Sequence, residues 1–275
     1  MVSNERTPRQ DKEHPKSNTG ESSFVYIARG PRHSIGIDEK GIAYSWGKSN
    51  AVGQLGRPTN SENLKKEPCR IPINANGCII KAYVSHGFDK DTGHSALLME
   101  QTSDTTNGKQ QKQQLLWMVG CDRWQQLGLG SSEGGSTGYT WKGGKLWHEK
   151  FTPSVHVTDL MAKKDPHARI VDVALGGDHT LVLANNGNVF GFGKGGDGQL
   201  GLVGKPFVSA PVKSKILSSP LTKAVCAFRA CSVALDENGK SIAKAGVCSS
   251  LPMDWLSKCI QAKETEGLIS SPPGK

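Results

Sequence analysis

Long apolar runs are missing from this sequence. No purely apolar stretch exceeds about five residues, Leu115 to Val119 being one, and a membrane-spanning helix needs roughly 20. No membrane partner is therefore expected. The first twenty residues, MVSNERTPRQDKEHPKSNTG, hold no apolar segment of the kind a secretory signal requires, and Glu5, Asp11 and Glu13 are unlike a transit peptide. The expected location is the cytoplasm or the nucleus. Cys-x-x-Cys is also absent. The seven cysteines, an odd number, stand at 69, 78, 121, 226, 231, 248 and 259. That supports neither a zinc ribbon nor a redox pair, and free, mostly buried thiols are the expected state. Aromatic residues are few, at 6%, whereas 33 glycines in 275 residues stand well above the usual level of about 7%. The composition is that of a folded, turn-rich chain.

The chain is also strongly self-similar. His33-Ser34-Ile35-Gly36-Ile37 leads, eight residues after His33, to Gly41, and six residues later to Gly47 of the pair Trp46-Gly47; Gln54-Leu55-Gly56 follows. His179-Thr180-Leu181-Val182-Leu183 leads with the same two spacings to Gly187 and Gly193, then to Gln199-Leu200-Gly201. Between them lies a copy from His94 through Gly120 to Gln126-Leu127-Gly128, lengthened by twelve residues in the polar stretch TSDTTNGKQQKQQ, which reads as an extended hairpin loop. A fourth copy begins at Cys231 where the others have His, keeps the eight-residue spacing to Gly239, and has lost Gln-Leu-Gly. Alternation such as Ile35 and Ile37 against Ser34 and Gly36, with Gly closing each turn, is the pattern of β-hairpins. Short strands with periodic glycine and aromatic residues suggest propeller blades.

This pattern resembles the regulator of chromosome condensation repeat, whose units of about fifty residues build a β-propeller. The resemblance covers residues 24–248, and Gly-Gln-Leu-Gly at 53–56 and 198–201 is its most specific element. It implies an all-β fold. That family's propeller usually has about seven blades, so three clear copies and one eroded copy imply an incomplete propeller of about four. The expected blades are 24–73, 79–157, 168–213 and 221–248, within a repeat region spanning 23–250. Residues 1–22 are expected to be disordered, and 251–275 to form a short helix over Met253–Gln261 and a flexible tail. The helix would cover a blade edge. A four-blade arc would leave two terminal faces lined by residues such as Ile35, Ile37, Val233 and Leu235. With no comparable cap at the amino-terminal side, self-association through that blade edge is expected.

The chemistry-bearing motifs are weak. The aligned His33, His94 and His179 suggest a metal or catalytic cluster, but one His per blade at a fixed position is expected to serve that blade's own hydrogen bonds. Gly191-Phe192-Gly193-Lys194-Gly195-Gly196 matches the dinucleotide fingerprint in form only, because a repeat turn follows rather than a helix. Gly47-Lys48-Ser49 stands one residue too far from Gly41 for a phosphate loop. No catalytic residue, cofactor or metal is expected. Residues 131–150 read as a loop insertion, and within them Tyr139, Trp141, Lys142, Lys145, Trp147 and His148 form the best candidate for contacting a protein partner. Net charge is +9, and 198–235 holds Lys205, Lys213, Lys215, Lys223 and Arg229 with no acid. The expected function is a non-catalytic protein-interaction scaffold. The alternatives are guanine-nucleotide exchange on a small GTPase, which the resemblance implies, and chromatin or nucleic-acid binding through 198–235.

Overall fold

The computed structural model describes residues 23–57, 66–73, 75–86, 92–104, 110–129, 139–142, 145–154, 168–249, 254–266 and 268. The segment 1–22 and the tail from 269, expected to be disordered and flexible respectively, lie outside them. Four antiparallel sheets follow one another as blades. The first holds β1 (Phe24–Arg29), β2 (His33–Asp38), β3 (Ala43–Gly47) and β4 (Cys69–Arg70) in sequence order. The second holds β5 (Cys78–Val84), β6 (His94–Asp104), β7 (Gln110–Cys121), β8 (Tyr139–Lys142) and β9 (Lys145–Pro153), paired in the order β5-β6-β7-β9-β8. The third is β10 (Ile170–Leu175), β11 (His179–Ala184), β12 (Val189–Lys194) and β13 (Phe207–Lys213); the fourth is β14 (Ala224–Phe228), β15 (Cys231–Leu235) and β16 (Ser241–Gly246). Helix α1 (Trp255–Thr265) follows the fourth blade. The chain is an all-β, four-blade propeller arrangement. No helix among the described residues is long and apolar enough to cross a membrane.

Successive side chains of a strand point to opposite faces, and the blades use both. On β6, Leu97 and Met99 pack towards blade 1 with Ile35 and Ile37, while Ala96 and Leu98 pack towards blade 3 with Val173 and Val182. On β11, Val182 faces blade 2, whereas Leu181 and Leu183 meet Val225, Ala227 and Ala234 of blade 4. Ile35, Ile37, Val233 and Leu235 therefore do not line exposed faces. All four are buried, the first pair against blade 2 and the second beneath Trp255 of α1. The far side of blade 1 is covered by its own aromatics: Phe24 lies across Gly36, stacks on Trp46 at 5.5 Å and meets Tyr44 edge-on.

Three further expectations are corrected. The described part of the insertion after Glu100 is strand, since β6 and β7 stay paired out to Asp104 and Gln110. Residues 139–142 and 145–148 are also strand, because β9 supplies the blade's fourth strand and β8 adds a fifth at its edge. The cysteines are not all free. Cys226–Cys259 and Cys231–Cys248 are disulfides with Cα separations of 6.6 and 4.9 Å, leaving Cys69, Cys78 and Cys121 as thiols. The pairing arises because α1 folds back onto β14, which brings together positions 33 residues apart.

One turn carries visible strain. Gly53 and Gly198 open the Gly-Gln-Leu-Gly turns at φ of +75° and +80°, but the middle copy has Gln125 there at +61°. A left-handed conformation costs a non-glycine residue roughly 1–2 kcal/mol, partly offset by the greater chain entropy of glycine. Gln125→Gly is expected to stabilise the fold by about 1 kcal/mol, or about 2–4 °C in Tm. A thermal melt that does not move upward would contradict this.

Candidate functional site: blade seams and the axial groove

The three repeat histidines sit at the start of β2, β6 and β11, fully or almost fully buried. They do not serve their own blades, as was expected; each reaches across to the next. His33 Nε2 is 2.6 Å from Ser95 Oγ, His94 Nε2 is 3.0 Å from Thr180 Oγ1, and His179 Nε2 is 2.8 Å from Ser232 Oγ. The hydroxyl belongs in every case to the residue just after the next repeat's His or Cys. Ser95 Oγ donates its own proton to the Gln54 carbonyl, and Thr180 Oγ1 to that of Gln126. In those seams the imidazole must be the donor, which fixes the neutral tautomer with hydrogen on Nε2. Gln54, Gln126 and Gln199 each accept, through Oε1, the backbone N–H two residues earlier. Burial pushes His33 and His179 down to about 4 and His94 to about 3.

The inner strands β1, β5 and β10 carry a β-bulge at equivalent places, after Phe24, Ile79 and Ile170. A bulge re-aims the side chain that follows it. Tyr26, Lys81 and Asp172 occupy that position, opposite Ile37, Leu98 and Leu183, each four residues after a repeat histidine. All three meet α1. Glu266 accepts Tyr26 Oη–H at 3.2 Å and Lys81 Nζ–H at 3.3 Å, and Lys263 Nζ donates to Asp172 Oδ1 at 2.6 Å. Asp172 Oδ2 also takes the Val225 N–H of blade 4 at 2.9 Å. At its other end α1 is held by the Phe228–Trp255 ring contact at 5.1 Å and by the Cys226–Cys259 disulfide.

Between α1 and the inner strands lies a cavity of about 360 Å3, with Ile27, Val84 and Leu175 as apolar wall and Arg29, His86 and Lys258 among its polar lining. Burial raises the Tyr26 and Tyr83 phenols, reinforced by nearby carboxylates, and raises Asp172 against the pull of Lys263. The two lysines are matched by two carboxylates. The groove thus binds its own helix. Among the described residues no three His, Cys, Asp or Glu side chains group closely enough to hold a metal ion.

Of the candidates at 139–148, Trp147 is buried with Val52 and Cys121, and His148 is buried 3.8 Å from Asp122. Desolvation lowers His148 to about 4 and raises Asp122 to about 7. Tyr139, Trp141 and Lys142 lie on β8 and Lys145 begins β9, with Tyr139 opposite His148; their side chains fall outside the description. Tyr26, Lys81, Asp172, Lys263 and Glu266 escaped the sequence reading. A lysine on the helix face that carries Cys259 was the available signal for them, because a buried lysine requires an acid.

Comparison with known proteins adds a family. The family model described as the regulator of chromosome condensation (RCC1) repeat matches residues 40–88, 170–199 and 186–233. The RCC2 homolog of Danio rerio is 27% identical over 80% of this chain and 41% of its own length. RUG3, a mitochondrial RCC1 domain-containing protein of Arabidopsis thaliana, is 25% identical over 78% of this chain and 40% of its own. Among solved structures, Prp20p of Saccharomyces cerevisiae, characterised for binding to Gsp1p and histones, superposes with a TM-score of 0.57 at 21% identity, covering 82% of this chain and 46% of that one. The chain thus spans less than half the length of each.

The seams make stability sensitive to acid. Each histidine holds a proton less readily in the folded chain than in the unfolded one, so stability is complete above pH about 6.5 and falls as pH drops towards 4. Asp122 and Asp172 act in the opposite sense, favouring the fold at low pH, but the depressed histidines outnumber them. For one fully buried histidine the loss at pH 4 is about 3 kcal/mol. His94→Gln, which retains a donor without titrating, is expected to flatten the decline of unfolding free energy between pH 6.5 and 4. An unchanged slope in denaturant titrations at those pH values would refute the assignment.

Proposed function

Because this chain belongs to the regulator of chromosome condensation repeat family, we propose that it is a non-catalytic protein-interaction scaffold. The observation that carries this reading is the commitment of its buried polar groups. His33, His94 and His179 bond from blade to blade, and Asp172, Lys263, Lys81 and Glu266 fix α1. A frame stiffened in this way presents loops and edges, and fold alone does not assign a reaction to it. Strand β8, at the outer edge of blade 2 with Tyr139, Trp141 and Lys142, belongs to the proposal as a contact segment, as does Lys145 at the start of β9. The proposed location is the cytoplasm or the nucleus, although RUG3 is a mitochondrial protein.

Guanine-nucleotide exchange is the second reading, supported by the binding of Gsp1p by Prp20p; its binding of histones supports a chromatin role in the same measure. Nucleotide release from a panel of small GTPases, run beside reconstitution with purified candidate partners, separates the readings. A stoichiometric complex with no acceleration of release is expected. Robust stimulation of release would overturn the scaffold in favour of exchange.

A further inference from the structure

The outer rim of blade 3 differs from the rest of the surface. Eight large hydrophobic side chains are exposed among the described residues, and five of them, Val203, Phe207, Val212, Ile216 and Leu221, fall within nineteen consecutive positions. The same stretch lies inside 198–235, which has no acid. Val203 is 95% exposed, Ile216 52% and Phe207 49%. The fold brings the turn that leads to Val203 against Ile216. Gly201, two residues before Val203, packs against Ser214 and Ile216, so closely that a Cβ there would stand 3.2 Å from that of Ile216. The intervening turn carries Val203 clear of the body, since a Cβ at Gly204 would meet nothing within 4 Å. Phe207 then opens β13, the outermost strand of its sheet. Lys205, Lys213 and Lys215 are exposed in the same stretch of chain, and among the described residues none of them is ion-paired.

We infer that Val203, Phe207 and Ile216, with Lys205, Lys213 and Lys215 interspersed among them along the chain, form a docking surface for an acidic protein segment bearing large apolar side chains. The inference rests on the scaffold reading and gives it a place and a partner chemistry. Charge selects the partner, and burial of the three apolar side chains holds it. A nucleic acid would engage the lysines through its phosphates but leave Val203, Phe207 and Ile216 with nothing to bury against. Neither end of the chain supplies such a segment: 1–22 has four acids but only Met1 and Val2 as large apolar residues, and 267–275 has no acid. A second copy, at net charge +9, is a poor electrostatic match. Docking uses side chains rather than an added strand, because Pro211 and the irregular register between β12 and β13 blunt that edge.

The test is selection of a random peptide library on the full chain, with the selected peptides measured by fluorescence polarisation against two variants. One is Lys205→Glu/Lys213→Glu/Lys215→Glu and the other Val203→Ser/Phe207→Ser/Ile216→Ser; both change exposed side chains, and melting curves confirm their folding. Selected peptides are expected to be rich in Asp or Glu with Leu, Ile, Phe or Trp, and each variant to weaken them about tenfold or more. Three outcomes would overturn the inference: no enrichment of acidic and apolar residues, affinity unchanged in either variant, or polyglutamate or duplex DNA binding as tightly as the selected peptides. If a reconstituted partner complex survives both variants, the scaffold stands and only the rim falls. If no purified partner binds the wild-type chain, the scaffold reading itself fails.

Discussion

The architecture turns on one hydrogen bond repeated three times, between the imidazole of one blade and a hydroxyl in the next. In the first two seams that hydroxyl returns its own proton to a glutamine carbonyl of the donor's blade, so two blades are tied at two points by one buried side chain. The requirement propagates through each repeat. The carbonyl must be presented at a fixed place, so Gly-Gln-Leu-Gly forms a tight turn, its glutamine side chain closes that turn onto the backbone, and its leucine is fully buried. It also accounts for how the fourth repeat departs from the others. Cys231 replaces the histidine and is joined to Cys248, while Ser232, the hydroxyl that His179 meets, is retained.

Interior and terminal blades solve different packing problems. A strand between two blades must be apolar on both faces, and β11 is buried at every position. Among the described residues blade 1 has a neighbour on only one side, and its strand β2 alternates Ile35 and Ile37 with Ser34 and Gly36, leaving Phe24 to cover the other face. Blade 4 has α1 on its outward face, where Trp255, Cys259 and Ile260 complete the cluster around Phe228, Val233 and Leu235. Blades 1 and 4 are therefore closed by different means, aromatic stacking in one and a cross-linked helix in the other.

The repeat was legible because its anchors are short-range: the spacing of His to Gly and Gly to Gly lies within one hairpin. The partner of each histidine was not, because the hydroxyls lie 62, 86 and 53 residues away and alignment of copies says nothing about contact between them. The disulfides were hidden for the same reason, since Cys259 meets Cys226 only once α1 has docked. Residues 139–148 misled through composition. Glycine, aromatic and basic residues in that order read as a loop, but Trp147 and His148 are strand residues buried against the loop of blade 1 and Asp122. The bulges that aim Tyr26, Lys81 and Asp172 inward leave no mark in a hydrophobic pattern, and Val25 and Ile80, the residues they displace, are instead exposed.

Those bulges bear on where partners can bind. Without them, the alternation of β1, β5 and β10 would carry Tyr26, Lys81 and Asp172 onto a different face of their strands. With them, three blades direct polar side chains at the last turns of α1, and Asp172 joins blade 3, blade 4 and the helix through two oxygens. Removing one member of a buried ion pair leaves the other uncompensated, at a cost of about 3–5 kcal/mol. The helix is thus an integral wall of the groove, held at one end by a disulfide and at the other by charge. A partner that entered the groove would have to displace both attachments. One that docks on the blade edges leaves both in place, and there, among the described residues, lysines stand unpaired beside large apolar side chains in solvent.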